Sequence, residues 1–431
     1  MTGLIANPNI APFIRESVLA YQEAEMLGCF YTTVYHHQEH LFTSLLTKIS
    51  GKFRQELNRR PLHEIDYSLI KGLWLPELCR ITATKLINPI VADRVWEWAE
   101  HNFDSWTSKQ LKISTAFVHV YEHAALQTLQ EANKKRIVSI YEQPSQYHHS
   151  FTAIVEEQLK LYPELKNAEV SLLNDSNAVR RNKRRDEELA IADFILCNSA
   201  FTEKTLLEAG ILPQKIMKIH YGFPEIADFK TASPASAKLR FIYAGNLSLR
   251  KGIHILLQAW KELHLGDSAE LFLIGKNQLP DFFWQGLPDN IKKFENLPQT
   301  EYFKLLLASN IFVLPTLADG FGMVISEAMA KGIPVLTTTA SAGPDLIKHQ
   351  NNGLLVSPND KEALKGQLKW CMDNRNTLAD IGKKALATAK AYPWKAYRKK
   401  LAGMVKEMIE SHPNTTHSTK STASQIHHNV R

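Results

Sequence analysis

Two short stretches in the second half of the chain hold the residue types that phosphate and polyol chemistry require. The first, Gly245-Asn246-Leu247-Ser248-Leu249-Arg250-Lys251-Gly252, sets two cations in a loop bounded by glycines, directly after the apolar run Leu239 to Ala244. The second, Leu314 to Pro334, reads LPTLADGFGMVISEAMAKGIP, with Asp319 ahead of Gly320-Phe321-Gly322 and Glu327 after seven intervening positions. When a phosphate departs, negative charge grows on its leaving oxygen, and fixed Lys or Arg side chains can stabilise it. Lys251 and Arg250 suit that task, Arg by bidentate contact and Lys as a compact point charge. The backbone N–H groups of Gly320, Phe321 and Gly322 stand where a helix begins, so they are free to meet phosphates or sugar hydroxyls. Asp319 and Glu327 can accept hydrogen bonds from hydroxyls. Gly275 and Lys276 follow another apolar run, Ala269 to Ile274, on the side of such sheets where ligands bind.

The first half offers fewer candidates. Glu142, His148 and His149 follow the apolar run Ile137 to Tyr141. A histidine there could orient a hydroxyl and exchange protons near neutrality. His119, inside an apolar run, reads as a hydrogen-bonded core residue. The four cysteines include no Cys-x-x-Cys pair, and no His, Cys or acidic cluster has metal-ligand spacing, so no metal is expected.

These residues need strands that end, and helices that begin, at the loops. Short β-branched and aliphatic runs at Cys29 to Tyr35, Thr115 to Tyr121, Ile137 to Tyr141, Phe194 to Asn198 and Ile216 to His220 alternate with helical stretches. The same rhythm resumes with Leu239 to Ala244, Ala269 to Ile274, Ile311 to Leu314 and Ile333 to Thr337. Alternation of this kind builds βαβ units and a mainly parallel sheet. Residues 38 to 112 read as mostly helical and aromatic-rich. Ser199 reads as a helix cap, Asn359 with Glu362 as a capping box, and Ile253, Leu256, Leu257, Trp260 and Leu263 as one apolar helix face. The expected division is 1–223, a polar linker 224–237, 238–392, a final helix 393–411 and a disordered tail 412–431.

The string from Asp319 through GFG to Glu327 and A-M-A-x-G-x-P-V resembles the donor-site signature of retaining glycosyltransferases of family 4. That resemblance implies a GT-B fold: α/β, two Rossmann-like domains facing across a cleft, with a C-terminal helix crossing back to the first. Tyr392, Trp394 and Tyr397 resemble that crossover. It also implies transfer of a hexosyl group from a nucleotide-sugar donor to an acceptor hydroxyl, with retention and without a metal or other cofactor. Glycan, polysaccharide or lipopolysaccharide biosynthesis would be the setting. In these terms Lys251, Arg250, Asp319, His148 and His149 are the catalytic candidates. Gly245, Asn246, Lys251, Gly275, Lys276, Gly320, Phe321, Gly322 and Glu327 would bind the donor. The chain departs from the pattern twice: Asn246 stands where many members carry Arg, and Asp319 where Glu is usual. Those departures keep a non-catalytic nucleotide-sugar or glycan-binding scaffold as an alternative, with a GT-B nucleotide-sugar epimerase behind it.

At 431 residues two domains are the prior expectation, and no apolar run approaches the roughly 20 residues of a membrane span. The N-terminus lacks a secretory pattern, so the expected location is cytoplasmic, with peripheral contact on the inner face of the membrane left open. A net charge of +7 is centred on Arg180, Arg181, Lys183, Arg184 and Arg185. The plain reading of that cluster is a solvated helix face; anionic headgroups are the other candidate. No nucleic-acid motif accompanies it. The acceptor could be a glycan, a lipid-linked glycan or a small molecule.

Overall fold

The computed structural model describes residues 1–39, 57, 60–171, 173, 175–226, 238–295 and 297–412. Runs of Val, Ile, Leu and Phe with no polar alternation fit strands covered on both faces, and such strands form parallel sheets. In the first half, β1 (Gly3–Ala6), β2 (Leu27–Thr32), β3 (Ile70–Gly72), β4 (Phe117–Tyr121), β5 (Val138–Gln143), β6 (Phe194–Cys197) and β7 (Ile216–Lys218) form one sheet ordered β3-β2-β1-β4-β5-β6-β7. The second half builds β8 (Leu239–Ala244), β9 (Ala269–Ile274), β10 (Ile291–Phe294), β11 (Ile311–Leu314), β12 (Val335–Thr338) and β13 (Leu354–Val356), ordered β10-β9-β8-β11-β12-β13. The strand pairs of both sheets are parallel. Each order reverses direction beside its first strand, the doubly wound Rossmann arrangement. The molecule is two Rossmann-like domains, as expected.

The longer helices of the first domain are α1 (Pro12–Glu23), α2 (Trp74–Leu86), α3 (Pro89–Ser108), α4 (Leu126–Lys135), α5 (His148–Leu161), α6 (Ser176–Ile191) and α7 (Ala200–Glu208). Those that follow are α8 (Ile253–Leu263), α9 (Gln299–Leu307), α10 (Met323–Ala330), α11 (Lys361–Asp373), α12 (Arg375–Ala391) and α13 (Trp394–Ser411). Ile253, Leu256, Leu257 and Trp260 of α8 are buried, as the spacing requires. Ser199 caps α7 by accepting from the Thr202 N–H.

The chain returns to the first domain through α13. Its Tyr397 hydroxyl lies 2.9 Å from that of Ser17 on α1, and Arg398 donates to Glu16 at 2.6 Å and to Glu23 at 2.9 Å. A backbone bridge between Phe223 and Pro393 fixes where the crossover begins. No helix among the described residues is long and apolar enough to cross a membrane.

Several local expectations need correction. The cap of α11 is Asp360, which accepts from the Ala363 N–H; Asn359 takes a left-handed φ of 59° and donates to Glu157 instead. β1, β3, β10 and β13 are absent from the expected strands; β3 (Ile70-Lys71-Gly72) and β10 (Ile291-Lys292-Lys293-Phe294) are edge strands with lysines in place of an unbroken apolar run. Most of the basic cluster is not a solvated face: Arg181 pairs with Asp93, Arg184 with Asp104 and Arg185 with Glu122, while Lys183 is exposed and Arg180, paired with Glu97, is 60% exposed. Three of those arginine side chains are only 11–21% exposed, so the cluster ties α6 to α3 and to the residue that follows β4. Most of the expected linker, 227–237, and the tail from 413 lie outside the described residues.

Candidate functional site

The ligand crevice of a doubly wound sheet opens at the carboxyl ends of the strands, where the order reverses. In the second domain that point lies between β8 and β11. The loop after β8 carries Gly245 to Gly252, and the loop after β11 carries Pro315 to Gly322. Backbone and side chain bind them together: Leu317 N–H donates to the Arg250 carbonyl at 2.9 Å, and the Thr316 hydroxyl to the same oxygen at 3.1 Å. Gly252 makes this fit possible. Its φ is +67°, and a Cβ there would lie 2.0 Å from the Pro315 carbonyl oxygen. β12 supplies a third support, since the Thr338 hydroxyl donates to the Thr316 carbonyl at 2.6 Å and Asp319 N–H to Ala340 at 2.9 Å.

The result is an ion pair between Lys251 and Asp319, with Arg250 Nη1 at 4.0 Å from the same carboxylate. Burial raises the Asp319 pKa, but Lys251, Arg250 and the Gly322 N–H outweigh it and hold the carboxyl below its ordinary range. Burial also lowers the Lys251 ammonium, with Asp319 pulling against it. Two cations against one anion leave a net positive site. That is the electrostatic preparation an incoming diphosphate needs.

Above this pair lies a cavity of about 280 Å³ with walls from both domains. Gly245, Lys251, Asp319, Phe321, Gly322 and Met323 face Pro144, Asn198 and Tyr221 across it. Contact between the walls is close, for a Cβ on Gly320 would lie 1.9 Å from the Pro144 carbonyl oxygen. Phe321 rests against Tyr221 with ring centroids 4.9 Å apart. Three hollows are larger: those of about 430 Å³ beside Phe282 and about 570 Å³ beside Trp74 are lined by no acidic residue, and one of about 340 Å³ between α5 and α6 is lined by Glu156 and Asp186 but lies off the cleft.

Lys251, Arg250, Asp319, Gly245, Gly320, Phe321 and Gly322 therefore come together. Gly275 and Lys276 join their edge, since Leu247 N–H donates to the Lys276 carbonyl at 2.9 Å. Asn246 is exposed and contributes its carbonyl to the Tyr243 hydroxyl at 2.7 Å. Glu327 stands a turn farther along α10, off the cavity wall, with Tyr302 Oη 3.5 Å away. Burial raises its pKa, opposed by Lys331 and Tyr302. His148 and His149 do not line the cavity: they open α5, and His148 Nε2 lies 2.7 Å from Asp186 Oδ1. Glu142 is fully inside, accepting from Tyr221 Oη at 2.6 Å, and His119 is the core residue expected, 2.7 Å from Tyr21 Oη. Phe13, Asn198 and Tyr221 were not identifiable as wall residues from sequence. Only Asn198 carried a signal, its place at a strand end.

Paired Rossmann-like domains, a crossover helix and a cationic crevice facing the cleft define a GT-B protein. Residues 226–388 match the family model for glycosyl transferases group 1. The amylovoran biosynthesis glycosyltransferase AmsK of Erwinia amylovora is 26% identical over 236 residues, 50% of this chain and 58% of that protein. The sulfoquinovosyl transferase SQD2 of Arabidopsis thaliana is 28% identical over 228 residues, 49% of this chain and 44% of that protein. The chain thus spans about half the length of these curated relatives. Anabaena HepE, solved in complex with UDP, superposes with a TM-score of 0.60 at 15% identity, covering 94% of this chain and all of that one. Sucrose-phosphate synthase of Thermosynechococcus elongatus gives 0.59 at 16%, covering 95% of this chain and 100% of its own. Both likenesses are of fold. The sequence likeness to glycosyltransferases includes the family match over 226–388, which holds the Lys251–Asp319 crevice.

Proposed function

We propose that this protein is a glycosyltransferase that moves a hexosyl group from a nucleotide-sugar donor to an acceptor hydroxyl, with retention of anomeric configuration. The observation that carries the reading is the Arg250–Lys251–Asp319 grouping at the switch point of the second sheet, facing the other domain. Lys251 and Arg250 receive the diphosphate and stabilise the charge that grows as the glycosidic bond breaks. The N–H groups of the Gly320–Gly322 turn hold donor oxygens, and Glu327 takes the ribose hydroxyls. Asp319 is already engaged by Lys251, which disfavours it as a covalent nucleophile. Retention then follows from attack on the face the diphosphate leaves, with a phosphate oxygen taking the acceptor proton. The acceptor, a glycan, a lipid-linked glycan or a small molecule, approaches from the first domain.

Polysaccharide or lipopolysaccharide assembly in the cytoplasm, or on the inner face of its membrane, is the proposed setting. The likeness to AmsK supports it, as do four cysteines that are all free. UDP-glucose is the first donor to try, because HepE has been solved with it. A thermal-shift panel of nucleoside diphosphates and their sugars tests the reading, since a ligand at 100 times its Kd adds about 2.7 kcal/mol to stability. A preferred nucleotide that raises Tm, together with sugar transfer or slow donor hydrolysis, is the expected outcome. Stabilisation with neither reaction would favour the non-catalytic scaffold, and no response to any nucleotide would refute both.

A further inference from the structure

Outside the cleft, one group of side chains remains without a role. His148 and His149 begin α5, and Asp186 lies on α6, 38 positions after His148. Each offers a ligand atom, and these atoms all lie within 4.8 Å of one another. The His149 ring and the Asp186 carboxylate border a groove between the two helices, lined also by Thr152 and Glu156 from α5 and by Asn182 and Lys183 from α6, with His148 buried behind it. Lys183 and Glu156 offset each other there, and Arg185 is paired with Glu122. We propose that His148, His149 and Asp186 form a binding site for one divalent transition ion of the Zn²⁺ type.

Imidazole nitrogens with a carboxylate suit Zn²⁺, and three protein ligands leave a position for water. His148 is 5% exposed, and its Nδ1 is buried with no hydrogen-bond partner among the described residues. The nitrogen turned to Asp186 is Nε2, at 2.7 Å from Oδ1, so Nε2 is the ligating atom and the ion would take the place of the proton the two groups now share. Ligand atoms on one tetrahedral zinc lie about 3.3 Å apart, given Zn–N near 2.05 Å. Closing from 4.8 Å to that spacing is a shift of about 1.5 Å. His149 can supply it by rotation, since it is exposed. The Tyr147 hydroxyl donates to Asp186 Oδ1 at 2.8 Å, the outer support that orients a ligating carboxylate. An ion here would staple α5 to α6. It would also steady Pro144 and Ser145, which meet Gly320 at the cleft. This inference is independent of the proposed transferase activity.

The test uses the full chain, stripped with a chelator and titrated with Zn²⁺ in equilibrium dialysis and with Co²⁺ by visible absorption. The tail histidines His417, His427 and His428 can also take metal, so variants decide the outcome. Wild type should bind one more equivalent than His149→Ala or Asp186→Asn, and only wild type should give the intense band of tetrahedral cobalt. Tyr147→Phe should weaken that equivalent about ten-fold. Circular dichroism of the metal-free variants verifies folding, and His149, being exposed, keeps the test open should Asp186→Asn unfold. Equal stoichiometry in wild type and folded His149→Ala would overturn the proposal, as would the same cobalt band in both.

Discussion

Asp319 occupies Lys251, the cation assigned to the diphosphate in the proposed function, and on that proposal carboxylate and phosphate compete for one ammonium. Asp319→Asn removes the competitor. It should tighten nucleoside diphosphate binding several-fold in calorimetry, while lowering transfer if the acid also contacts the donor sugar. Lys251→Ala should do the reverse, weakening the diphosphate by about 1.5–3 kcal/mol, the range for a hydrogen bond to a charged group. Unchanged diphosphate affinity in Lys251→Ala would sink the donor assignment. The departures at Asn246 and Asp319 are connected by this geometry. Asn246 carries no charge, and Arg250, with Nη1 4.0 Å from Asp319, is the second cation beside that carboxylate.

The loops that hold these side chains fit only because certain positions lack a Cβ. Gly320→Ala puts a methyl 1.9 Å from the Pro144 carbonyl, a backbone atom that cannot step aside cheaply. The domains should separate at that point, and small-angle scattering of the variant should show a larger radius of gyration than wild type. No change in dimensions would mean that the loop yields instead of the domain. Such close approaches leave no mark in composition. The sequence shows a glycine, but whether it is a turn, a bend or a contact depends on what packs against it. The capping of α11 illustrates the limit: Asn359 and Asp360 are adjacent and both suited to capping, and a left-handed φ at Asn359 decided between them.

The two domains also meet along a seam away from the cleft. His254 on α8 is fully buried, its Nε2 2.8 Å from Gln158 Oε1 on α5, and burial pushes its pKa down to about 3. Its ordinary value is near 6.5, so the unfolded chain takes up the proton first as pH falls. The stability that His254 contributes is present above about pH 6.5 and is lost as pH drops toward 3, at up to about 1.4 kcal/mol per pH unit. Chemical denaturation of wild type and His254→Gln across pH 7 to 4 should show a shallower decline in the variant. Parallel curves would remove His254 as a source of acid sensitivity. On the crossover, Tyr397→Phe forfeits the contact with Ser17 and should cost about 1 kcal/mol.

What the sequence determined by itself was the repeating strand–helix order and the loops of the second domain, the GT-B fold being implied by their resemblance to a known family. There, cations and acids fall within a few residues of strand ends, and local spacing is enough to place them. Only the tertiary structure decided the rest. It paired four arginines of α6 with acids 63 to 88 positions away and turned three of them inward, an outcome that charge counting cannot distinguish from a solvated face. It moved His148 and His149 off the cleft, with His148 paired to Asp186, and it brought Phe13, Asn198 and Tyr221 to the cavity wall from three separate elements. Contacts between distant segments depend on how sheets and helices pack, and that packing has no local period for a sequence to display.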